Sequence, residues 1–113
     1  MRTIVINGDT WGVVRVPAGD PRLFDMTGTE RLGTTDPRNR TVSIRSDLGP
    51  PMLDRVVVHE IAHAIAVSWG LVGGPTGDPD EWTARMIENH AIEAVSLAAL
   101  VLGRPPCVRG ECA

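Results

Sequence analysis

The chain has 113 residues, enough for one ordinary domain with a buried core, and 42% hydrophobic against 22% charged residues argues against wholesale disorder. Its formal net charge is −3, and its 11 basic residues are all arginine. That balance gives no basic surface of the kind a nucleic-acid binder needs, so nucleic acid is not expected as a partner. The apolar run near Met1 is too short for the core of a secretion signal. The longest apolar stretch, Ala94 to Leu102 broken only by Ser96, is too short to span a bilayer. These lengths lead to the expectation of a cytoplasmic protein with no membrane partner.

In chain order, Thr3 to Asn7 and Trp11 to Val16 are β-rich runs around Asn7-Gly8, a pair that tolerates positive φ and marks a hairpin. Pro17 to Arg40 is rich in Gly, Pro, Asp and Thr and reads as a long loop with a short strand around Glu30 to Thr34. Thr41 to Ser46 alternates polar and apolar residues, as a half-buried strand does. Pro51 suits the first turn of a helix, and the helix is expected from Pro51 to Trp69 with Gly70 as its left-handed stop. Between Val56 and Val67 it is apolar on every side except at His59, Glu60 and His63, which predicts a buried helix with these three groups inside. Leu71 to Gly77 is a glycine-rich connection. Asp78, Pro79 and Glu81 form a capping signature for a second helix that runs through Leu102 to Gly103. No repeat or second domain is visible. The expected organisation is a single domain: hairpin and loop over 1–40, a strand plus two helices over 41–103, and a tail over 104–113.

The chemistry is concentrated in His59-Glu60-Ile61-Ala62-His63. Residues four apart share a helix face, so this H-E-x-x-H pattern lets both imidazoles reach one zinc ion, with Glu60 beside it to handle protons. The bare pattern also occurs by chance; its place mid-helix, with uncharged spacers and two of the chain's three histidines, strengthens it here. The bland alternative is a pair of core histidines satisfied by hydrogen bonds, at odds with the cost of burying two imidazoles and a carboxylate together.

A third protein ligand has to come from downstream, among Glu81, Glu88, His90 and Glu93. Glu81 is explained as a capping residue. Glu88 shares a face with Ala84, Ala91, Ile92 and Val95, a stripe suited to packing on the first helix, which favours it. His90 projects about 200° away from Glu88 and is the alternative ligand. Glu93, near Arg85, Asn89 and Ser96, looks like a solvated face.

The expected reaction is hydrolysis of a peptide bond by a zinc-bound water, with Glu60 as general base. The chain has no tyrosine to support the oxyanion, so His90 or Arg85 would have to serve. The strand Thr41 to Ser46 has two readings: an edge strand that pairs with an extended peptide, or an ordinary core strand. Cys107 and Cys112 form C-x4-C. With no further cysteine or histidine nearby, two tail thiols of no consequence are favoured over a metal site or a redox pair.

From Thr41 to Leu102 the sequence resembles the minimal zinc-dependent metallopeptidases of the zincin group, and among them the small ImmA/IrrE-like and phage-type members. A β-branched strand, a Pro/Gly break, V-V-V-H-E-I-A-H-A-I and a glutamate 25 residues after the second histidine carry the likeness. The resemblance implies an α+β fold in which a small antiparallel sheet packs on the active-site helix, followed by a second, glutamate-bearing helix. It also implies zinc held by His59, His63 and Glu88, Glu60 as base, and a protein or peptide substrate, often a regulatory protein. Members sometimes carry a DNA-binding domain, which this chain does not show. The rival reading is a non-catalytic, zinc-containing module that binds a peptide or protein.

Overall fold

The computed structural model describes residues 2–71 and 79–107, with the side chains of the second helix described from residue 90 onward. The fold is α+β: a four-stranded sheet and two helices, with a 3-10 turn at Pro21–Leu23. Strands β1 (Arg2–Ile6) and β2 (Asp9–Val16) form the expected hairpin, turning through Asn7 and Gly8 at φ 48° and 82°. Two adjacent left-handed residues match the right-handed twist of the flanking strands, which is why Asn-Gly is used there. Strands β3 (Gly33–Asp36) and β4 (Thr41–Arg45) form a second antiparallel pair.

The order across the sheet is β1-β2-β4-β3, and β2 pairs with β4 in parallel. The expectation of an antiparallel sheet is therefore corrected to a mixed one. The cause lies in burial. Val42, Ser43 and Ile44 are all buried, so β4 fits only where both of its faces are covered. The chain after β2 crosses to the far edge first, returns as β3, and turns back into the sheet as β4. The same arrangement decides between the two readings of Thr41 to Ser46. It is an interior strand, and the edge next to the first helix belongs to β3.

Helix α1 (Met52–Ser68) lays Leu53, Val56, Val57, Ile61, Ala64 and Ile65 into a core shared with Ile4, Ile6, Trp11, Val13, Val42 and Ile44. At its end Gly70 sits at φ 67°, with Leu71 N–H donating to the Ala66 carbonyl, the left-handed stop anticipated from the sequence. Helix α2 (Pro79–Leu102) ends at Gly103, at φ 75°. Trp69, just after α1, meets His90 and Glu93 of α2, while Asp54 in the first turn of α1 meets Arg104 just past the end of α2. The helices therefore run antiparallel along the length of α1. The expected cap at Asp78 and Glu81 lies outside the described residues and side chains.

Two expectations about burial are corrected. Of the three polar groups expected inside α1, His59, Glu60 and His63, only Glu60 is buried; His59 and His63 are exposed. The sheet and α2 cover two flanks of the helix, and the flank carrying residues 59 and 63 opens beside β3. Among the described side chains of α2 the buried positions are His90, Ala94 and Ala98, whereas Ala91, Ile92 and Val95 face solvent. The small, apolar stripe that favoured Glu88 is thus turned outward over its described part.

Asp54 is fully buried and accepts hydrogen bonds from Arg104 Nη1 and Nη2 at 2.7 and 2.6 Å and from the Cys107 N–H. The Arg104 guanidinium first, and then the Cys107 N–H, hold its carboxyl below the usual carboxylate range. Cys107 is half of a disulfide, so it is not the idle thiol expected; the other cysteine, Cys112, lies outside the described residues. Neither helix, over its described residues, is long and apolar enough to cross a membrane.

Candidate functional site

His59 and His63 stand one turn apart on the exposed flank of α1, and their Nε2 atoms approach to 3.1 Å. The ring centroids are 4.8 Å apart at 74° between planes, so the two rings meet edge to edge at their nitrogens rather than stacking. Two nitrogens bound to one tetrahedral zinc at about 2.0–2.1 Å would lie about 3.3 Å apart. The donor pair as folded is within a few tenths of an ångström of that span. On geometry and on donor type, these two residues fit zinc.

Glu60 is set differently. Its Oε1 accepts a hydrogen bond from the Thr35 hydroxyl at 2.9 Å, and the same hydroxyl lies 3.1 Å from the Glu60 backbone carbonyl. Its Oε2 lies 3.9 Å from His59 Nε2. One carboxylate oxygen is thus fixed by β3, and the other sits beside the edge of the imidazole pair. The close approach of β3 to α1 depends on Gly33. A Cβ there would meet Val56 Cγ1 at 2.7 Å and Glu60 Cγ at 2.9 Å, closer than real contacts allow.

These groups line a cleft of about 510 Å³, with His59, Glu60 and His63 on one side and Arg31, Gly33 and Thr35 on the other. Arg31 is anchored at the mouth by Asp25, whose Oδ2 accepts from Arg31 Nε at 2.8 Å. The Thr27 hydroxyl, the Thr29 N–H and Arg31 together hold the Asp25 carboxyl far below the usual range, the Thr27 hydroxyl contributing most. Gly33, Thr35 and Arg31 were not foreseen as site residues. Arg31 and Gly33 fall in the short strand expected around Glu30 to Thr34, and Thr35 just beyond it; the one signal of function was the length of the surrounding loop, since long loops in compact domains tend to be functional.

His90 is buried at the junction of the two helices. Its Nδ1–H donates to Glu93 Oε2 at 3.1 Å, and its ring lies 5.2 Å from that of Trp69. Glu93 Oε1 accepts from Trp69 Nε1–H at 3.3 Å. Glu93 is therefore not a solvated residue but the hub that ties α2 to the end of α1. Among the described residues, no third His, Cys, Asp or Glu joins His59 and His63 in a group able to hold a metal ion. The side chains of Glu88 and Arg85 lie outside the described residues.

Comparison with protein-family models, with curated proteins and with solved structures finds no match.

Proposed function

We propose that the chain is a zinc-dependent endopeptidase acting on a protein or peptide substrate. The observation that carries this reading is the convergence of His59 and His63 Nε2 in an open cleft whose wall holds an oriented carboxylate, Glu60. His59 and His63 would hold the metal, with Glu88 as third ligand on the strength of the zincin resemblance alone. When bound, zinc would acidify a water molecule and polarise the scissile carbonyl.

The protein groups do the rest. With Oε1 engaged by Thr35, Glu60 keeps Oε2 to orient the attacking water, take its proton and deliver it to the leaving amine. Strand β3, as the edge of the sheet beside the cleft, has an unpaired side along which an extended peptide can lie. That role, first considered for Thr41 to Ser46, passes to Gly33–Asp36. Arg31, across the cleft, is a candidate to support negative charge developing on the carbonyl oxygen.

The test pairs two variants in a zinc-loaded assay with unfolded casein. Glu60→Gln is expected to keep its zinc and lose cleavage by about 10²-fold or more, the usual worth of a general base. His59→Ala is expected to lose both. Full activity in Glu60→Gln, or no cleavage by a zinc-loaded wild type, contradicts the reading.

A further inference from the structure

A second cavity, of about 460 Å³, opens at the far end of the core, where the sheet and the ends of the helices splay apart. Its size falls within the roughly 300–1,000 Å³ range of small-molecule sites. The floor is apolar, built from Val13, Ile44, Leu53 and Val57, and the rim carries Arg2, Arg15 and Arg104. Among the described residues, no carboxylate lines it. The guanidinium of Arg104 is spent on Asp54. Arg15 donates through Nη2 to the Ser46 and Leu48 carbonyls, at 2.9 and 3.3 Å, and its charge also acts on the neighbouring Asp47 carboxylate, which does not line the cavity. Arg2 has no hydrogen-bond or ion-pair partner among the described residues. In a chain of net charge −3, a guanidinium with no partner among the described residues, beside a second that donates only to carbonyls, is unexpected over an apolar opening.

We infer that this cavity binds a medium-chain fatty carboxylate, its head on Arg2 and Arg15 and its tail between the sheet and α1. The guanidinium fork matches a planar carboxylate. Because the floor offers no hydrogen-bonding side chain, a peptide tail would leave its amides unsatisfied, whereas a hydrocarbon tail loses nothing. This site is independent of the cleft at His59 and His63.

Titration calorimetry of the full chain with monomeric hexanoate, octanoate and decanoate, at low ionic strength, tests the assignment. Saturable binding of about one ligand per chain is expected, strengthening about tenfold for every two methylenes added. Decanol is expected to bind at least tenfold more weakly than decanoate. Arg2→Ala, which breaks no hydrogen bond or ion pair among the described residues, is expected to weaken decanoate at least fivefold. Leu102→Trp, which fills the cavity from its lining, is expected to abolish binding, with circular dichroism confirming the fold. No saturable binding, equal affinity for decanol, an unaffected Arg2→Ala, or binding to anionic vesicles without binding of monomeric decanoate each overturns the inference.

Discussion

The Thr35 hydroxyl lies 2.9 Å from Oε1 of Glu60, joining the edge strand of the sheet to the only buried polar group of the H-E-x-x-H helix turn. A hydrogen bond to a charged group is worth about 1.5–3 kcal/mol, so losing it leaves Glu60 free to rotate. Thr35→Val, which keeps the side-chain shape, is expected to lower kcat by about tenfold with zinc content unchanged, and Thr35→Ser to restore it. Steady-state kinetics with metal analysis decide this. An unaltered kcat in Thr35→Val would show that Glu60 is held by something else.

Gly33 sets the distance between β3 and α1. Gly33→Ala puts a methyl group into Val56 and Glu60, and overpacking of this kind costs about 1–3 kcal/mol. Thermal unfolding is expected to show a lower Tm. A Tm equal to wild type would mean that β3 moves away freely.

The buried Asp54 binds Arg104 and the Cys107 N–H, and removing one member of a buried pair costs about 3–5 kcal/mol at full burial. Arg104 keeps 40% of its side chain exposed and can turn to water, so about 2–3 kcal/mol is expected for Asp54→Asn. The folded-state carboxyl is depressed below its ordinary value of 3.8. Its stabilisation is therefore complete above about pH 4–5 and lost as pH falls through the lower, folded-state value. Urea unfolding at pH 7 and at low pH checks the sign: the gap between wild type and Asp54→Asn is expected to shrink in acid.

The third ligand is decided by zinc content. With Ala91, Ile92 and Val95 turned to solvent, the apolar-stripe argument for Glu88 is gone, and the zincin resemblance alone supports it. Glu88→Ala is expected to strip zinc. His90→Ala is expected to keep it, because His90 is occupied with Glu93 and Trp69. The opposite pattern reassigns the ligand to His90.

What could be read from the sequence was local. Asn7-Gly8, Gly70 and Gly103 each impose a backbone conformation within a few residues, and the hairpin and both helix ends follow from them. The H-E-x-x-H spacing likewise fixes His59 against His63 through one helical turn. What could not be read depends on distant pairing. Alternation in Thr41–Arg45 announces a strand but not its neighbours, so its interior position and the mixed sheet were out of reach. The apolar surroundings of His59 and His63 suggested burial because the sequence does not say which flank of α1 is left uncovered. Gly33 and Thr35 acquire meaning only once β3 is laid against Glu60, across 25 residues of chain between Thr35 and its partner.

The most direct test of the central claim is the zinc content of the purified, zinc-loaded chain, measured by elemental analysis after removal of loosely bound metal. The account predicts about one zinc per chain, and none in the His59→Ala, His63→Ala double variant. A wild type that stays metal-free after loading, or a double variant that binds as much as wild type, would contradict it.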